Sequence, residues 1–161
     1  MLYPVSGSKF SIGTVLDEKP TDFVVGDFSA IVWTEVAKWT QMGDFGDEST
    51  AIPVQIIGEA RDKAQAGTDD AGTMQNVFAN VPTDPGQQAL FAAKKAKTNF
   101  AFKIELNDKP VVGASPKNSL RYFVGIVMSA RETGGSANTI RNLTATVKIN
   151  SNIVQVPASA T

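Results

Sequence analysis

Alternation of apolar and polar positions dominates the second half of the chain. Thr98, Phe100, Phe102, Ile104 and Leu106 share one parity; Asn99, Ala101, Lys103 and Glu105 share the other. That period of two predicts a half-buried antiparallel strand with one wet face. Leu120 to Ala130 is apolar on both parities: Leu120, Tyr122, Val124, Ile126 and Met128 on one, Phe123 and Val127 on the other. It reads as a central strand. Ile140 to Ile149 alternates cleanly, with Leu143, Ala145, Val147 and Ile149 inward and Asn142, Thr144, Thr146 and Lys148 outward. Gly72 to Val81 sets Met74, Asn76 and Phe78 against Thr73, Gln75 and Val77.

The first half is weaker. Ala30 to Trp39 reads as one strand, with Ile31, Trp33, Glu35 and Ala37 on one face. Ala51 to Ile57 is another, Pro53 marking an edge or bulge, and the charged run Gly58 to Asp69 continues that ribbon to a turn at Asp69-Asp70-Ala71-Gly72. Short strands are expected in Phe10 to Leu16 and from Phe23. Between these runs lie a solvated loop, Thr40 to Thr50, with Phe45 at its tip, and Gly/Ser-containing turns at Asn107 to Asn118 and Arg131 to Asn138.

One stretch switches to the helical period. Asp84 is a good N-cap, Pro85 suits the first helical position, Gln87 is placed to complete a capping box, and Lys94, Lys95 and Lys97 close the last turn. Ala89, Ala92, Ala93 and Ala96 form a small-residue face for packing on a sheet, with Leu90 at its edge. Phe91 points the other way, either under its own loops or against a neighbouring subunit. The expected fold is mainly β: an antiparallel β-sandwich or barrel with one flanking α-helix, a single domain over 1–161 with an N-terminal arm, 1–10, and a frayed tail, 154–161.

Composition narrows the chemistry. Fifteen basic and 16 acidic residues among 161 leave no field to attract nucleic acid. No cysteine and no histidine are present, which excludes thiolate and imidazole metal sites and every triad built on histidine. No apolar run has membrane-spanning length, and no signal-peptide pattern opens the chain, so the product is expected in the cytoplasm where it is made. Asp44, Asp47 and Glu48 form a loop cluster lacking EF-hand spacing, and Asp69 and Asp70 read as a solvated turn. Glu35 is either a buried acid or a partner for Arg121 or Arg131. Trp33 and Trp39 are core residues or, in a carbohydrate-binding module, a stacking platform. No cofactor site and no active site are expected.

Particular residues go further. Trp33 to Val36, the Gly/Asp loop after it, Asp84-Pro-Gly-Gln-Gln-Ala-Leu90, Phe100 to Ile104, and Phe123-Val-Gly-Ile-Val-Met-Ser-Ala-Arg131 with Gly135 and Asn138 together resemble the major tail tube protein of long, non-contractile phage tails. The resemblance spans residues 30 to 150. It implies hexameric rings stacked into a hollow conduit for DNA, in a virion tail, with tape-measure, terminator and distal-tail proteins as further partners and no membrane. It places an inter-ring loop at Thr40 to Thr50, hence Gln41, Met42, Asp44, Phe45, Asp47 and Glu48, and makes Phe91, Lys94 and Lys95 a subunit contact. A tail terminator or secretion-tube subunit of the same superfamily, and the carbohydrate-binding module, are the alternatives.

Overall fold

A computed structural model describes residues 1–161. Ten strands and one helix follow in chain order: β1 (Lys9–Val15), β2 (Thr34–Val36), β3 (Trp39–Gln41), β4 (Glu48–Val54), β5 (Lys63–Asp70), β6 (Thr73–Ala79), α1 (Pro85–Ala96), β7 (Asn99–Glu105), β8 (Leu120–Thr133), β9 (Asn142–Ile149) and β10 (Val154–Val156). The main sheet runs β2-β1-β7-β8-β9-β6-β3, antiparallel throughout, and β4-β5 form a separate ribbon. The mainly β fold with a flanking helix is as expected, and β8 is the central strand.

The sheet curls until its two ends nearly meet. Strands β2 and β3 lie at opposite ends of the order, yet only Ala37 and Lys38 separate them. Inside the curl, Phe10, Ile12, Val36, Met74, Phe78, Phe102, Ile104, Phe123, Val127, Leu143, Ala145 and Val147 form the main core with Leu90 and Ala93 of α1. Phe10 sits 5.5 Å from Trp39, 5.8 Å from Phe78 and 5.7 Å from Phe102 between ring centroids, so β1 meets β3 and β6 across the interior.

The barrel does not close by strand pairing; the start of α1 fills the seam. Asp84 caps the helix by accepting from the Gln87 amide at 3.0 Å, and the same carboxylate accepts from Ala37 N at 3.1 Å. Gln87 does not complete a capping box. It is buried, and its side chain donates to Ala79 O at 2.8 Å and Ala37 O at 3.3 Å while accepting from Val81 N at 2.9 Å. One amide thus ties the β2–β3 link to the end of β6. Gly86 lets the helix come that close, since a Cβ there would collide with the backbone of Glu35 and Val36. The buried face is therefore Gly86, Gln87, Leu90 and Ala93, not the alanine stripe; Ala92 and Ala96 are exposed.

Other local expectations shift for identifiable reasons. Ala30 to Trp39 is not one strand: Lys38 adopts φ 62°, which turns the chain between β2 and β3. The stretch after Phe23 forms a 3-10 turn, Val25–Phe28, instead of a strand. The second face of β7 is not wet. Ala101, with Val124 and Val154, lies under Phe23 and Phe28 in a second cluster. The tail is not frayed: β10 pairs with β8 at Tyr122, Arg121 and Leu120, the stretch of that long strand which β9 leaves free, because β9 pairs only as far as Gly125. Lys9 and Phe10 belong to β1, so the arm is shorter than predicted.

Gln87→Leu would leave Val81 N–H and two carbonyls unpaired inside the seam. Each buried unpaired group costs about 1–3 kcal/mol, so the expected loss is about 3 kcal/mol in urea unfolding. A loss below about 1 kcal/mol would show that the amide does not hold the seam.

Candidate assembly surface

The β4–β5 ribbon leaves the body uncovered. Ala51 lies opposite Ala66, Ile52 opposite Gln65, Pro53 opposite Ala64 and Val54 opposite Lys63. Every residue of β4 is exposed, as is every residue of β5 except Gly67. Ile52 and Val54 are about half exposed, and Ile57 at the tip is fully so. An isolated two-stranded ribbon is marginal in water, and contiguous exposed apolar surface on a soluble chain marks an interaction site. The root is tied by Ser49 to Asp69, and by Asp70, which accepts from Lys148 Nζ at 2.6 Å and Gly72 N at 2.9 Å.

The predicted loop does not reach outward as expected. Gln41 belongs to β3 and Glu48 to β4. Phe45 is not at a tip: it and Met42 are half-buried and pack on the main core. Asp44 and Asp47 are exposed, and no three acidic groups anywhere converge on a point that a metal ion could occupy. The protruding element is the ribbon. Its signal was the exposed Ile52, Val54, Ile56 and Ile57 beside a Pro and charged residues, an apolar run too small to be core.

A second surface is the outer face of α1. Phe91 remains 38% exposed, with Lys95, Gln88, Ala92 and Ala96 around it, and Lys94 sits at the border. So Phe91 does point away from the body. A third is the outward face of β6, β9 and β8, where Gln75, Thr146 and Ser129, then Thr144 and Arg131, line a shallow depression without a single hydrophobic residue.

The remaining candidates dissolve into structure. Trp39 stacks on Phe78 in the main core, whereas Trp33 packs with Phe28 and Tyr122 in the second cluster. Those clusters lie on opposite faces of the sheet, so the tryptophans form no joint platform for a sugar. Glu35 is exposed and pairs with neither arginine; the ion pairs are Lys19–Asp27, Lys63–Glu59 and Lys148–Asp70.

Three carboxylates are held below the ordinary range, Asp27 among them through its hydrogen bonds from Lys19 and from Val24 N–H. For Asp70 the main cause is the hydrogen bond from Lys148, followed by that from Gly72 N–H. For Asp108, burial pushes the pKa up, but the hydroxyl and amide of Ser119 and the charge of Arg121 outweigh it. Asp108 thereby pins the loop between β7 and β8, with Ser119 Oγ donating at 2.5 Å.

No family model and no curated protein matches the chain. Solved structures do. The fold is similar to a chain of the anti-feeding prophage baseplate, solved with six-fold symmetry (TM-score 0.66, 10% identity, 98% of each chain). It is similar to the SPP1 tail tube protein (TM-score 0.64, 11% identity, 96% of this chain and 80% of the other). It is also similar to a type six secretion system protein (TM-score 0.51, 14% identity, 89% and 78%). The chain has a tail-tube-like fold.

Carboxylates with depressed pKa values stabilise the folded state fully above their unfolded value, about 3.9, and lose that contribution as pH falls through the folded value. Lys148→Met should move the Asp70 titration, followed by carboxyl NMR, upward toward the ordinary range and leave Asp108 in place. An unmoved Asp70 would refute the pairing.

Proposed function

We propose that this chain is a structural subunit of a phage-type tail tube: copies close into hexameric rings, and the rings stack into a hollow conduit through which DNA passes. The observation that carries this reading is the uncovered ribbon with Ile52, Val54, Ile56 and Ile57, a surface that only a neighbouring molecule can bury. The fold shared with the SPP1 tail tube over almost the whole chain supports it, and the six-fold baseplate supports the ring number.

In this arrangement the ribbon reaches the next ring, the part expected of Gln41 to Glu48, while Met42 and Phe45 anchor the segment that leads into it. Phe91, with Lys94 and Lys95, contacts a neighbour laterally. The contact is heterologous, and its rotation closes the ring. The face bearing Gln75, Ser129, Thr144 and Thr146 lines the lumen. Hydroxyl and amide groups with few cations release few counterions from DNA, so DNA passes without being held. Tape-measure, terminator and distal-tail proteins meet the tube, the chain resides in the virion tail, and no cofactor or catalysis enters. A second reading, a baseplate or secretion-tube ring, is favoured by the equal coverage of both chains in the baseplate match. A ring that stops, instead of a growing tube, would select it.

Negative-stain electron microscopy with light scattering over a concentration series should show hollow tubes or six-membered rings. Burying one isoleucine is worth about 1.5–3 kcal/mol, or about tenfold to a hundredfold in affinity. Ile57→Asp should therefore raise the tube-forming concentration at least about tenfold while leaving rings and the melting temperature intact. Phe91→Asp should weaken the rings themselves. Unchanged assembly in both variants would reject these surfaces.

A further inference from the structure

The edge of β6 is covered by an irregular piece of its own chain. From Trp39, opposite Phe78, to Glu48, opposite Asp70, the segment runs antiparallel along β6, yet only Trp39 and Gln41 pair in register, with a shift between them. Beyond Gln41 the ladder fails. Gly43 lies against the backbone of Gln75, where a Cβ would collide with Gln75 N and O. Its N–H donates to the side chain of Asn76 at 3.0 Å. Edge strands are templates for another chain, and natural proteins hide them. Here the cover is a strap without a full ladder.

The strap is held imperfectly. Trp39 Nε1 and Asn76 Nδ2 are both buried, and neither has a protein hydrogen-bond partner. Such groups weigh against the closed arrangement. Lys38, where the strap begins, sits in the left-handed region at φ 62°. Met42 and Phe45 hold the strap down through half-buried contacts only.

Its ends are unequal. At Ala37 and Lys38 the strap is fixed by Asp84 and Gln87, and by Ala79 N donating to Lys38 O at 2.8 Å. At Asp47 it passes directly into β4, whose root is exposed and whose register slips between Ser49 and Ala51. From Trp39 to Glu48 the strap has only one residue more than the stretch Phe78 to Asp70 that it faces, so lifting it shifts the ribbon root.

We propose that Trp39–Asp47 is a releasable cover: when the ribbon engages a second copy its root shifts, the strap lifts, and the exposed β6 edge takes up a strand of that copy. This rests on the assembly proposed above and adds its regulation. The free chain keeps its edge hidden, and growth occurs where a ribbon is already bound.

The chain has no cysteine, so one engineered disulfide is unambiguous. Gln41 and Val77 are direct cross-strand partners, a spacing suited to a disulfide. The double variant Gln41→Cys/Val77→Cys, oxidised, should form no tubes at ten times the concentration at which the same sample, once reduced, forms them. Equal assembly in both states would overturn the proposal. Failure of the unmodified protein to assemble under any condition counts against the tail-tube reading itself, and the strap is then judged by amide hydrogen exchange of the unmodified monomer. The Gly43 amide, which the closed strap bonds to Asn76, should exchange at least a hundredfold faster than the amides of Leu143 to Val147. Equal protection of Gly43 and that strand would also overturn it.

Discussion

Everything in this fold depends on how a curled sheet is shut without a final strand pair. The two end strands are short, and the two-residue link between them turns through a left-handed lysine, so no ladder can bridge the gap. A buried glutamine and a capping aspartate do the bridging. Each bonds to Ala37, and the glutamine also holds the end of β6. The low-dielectric interior makes these bonds strong and makes their loss costly. The helix is therefore more than a lid on the apolar interior. Its first turn is the fastening, and its remaining turns present Phe91 outward.

That fastening divides the molecule into a firm part and a loose part. Behind it lie four phenylalanines and a set of branched residues at most 1% exposed, stacked between β1, β7, β8, β9 and β6. In front of it lie the strap and the ribbon, with half-buried or exposed side chains and slipped registers. Function in such a fold is drawn from the loose part, since low-stability segments are the ones free to rearrange on contact. The firm part sets the distances over which they do so.

Much of the firm part was legible in the sequence. Period-two alternation located β6 and β9 because one face of each is buried and the other is not, whereas the second cluster covers part of the outer face of β7 and β8, and β8 is accordingly apolar on both parities. The cap residues located α1 because Asp84 and Pro85 act locally. What failed was whatever depends on distant partners. The alanine stripe pointed to the wrong helix face, because Gly86 permits an approach that places Leu90 and Ala93 inward. Lys38 gives no sign of its positive φ. Val154 to Val156 looked like a tail, because the free edge awaiting it on β8 follows from where β9 stops. The stretch that stands out from the body is the ribbon, one segment after the loop expected to do so. Phe45, an aromatic amid glycines and acids, looked exposed, although it packs on the main core, and the ribbon's alternation was diluted by Pro53 and by charges.

The pairing of Lys9 with Glu105 sets the order of events when the chain folds. β7 and β8 are joined by one loop and can zip early; β1 must wait for a partner that lies most of the chain away. Loop closure over such a span is slow, and topologies dominated by distant contacts fold slowly as a class. During that wait the apolar side chains of β1 and the ends of the β7 ladder are open at once. The interval before β1 docks, more than the finished structure, is thus the time at which two chains are most apt to aggregate.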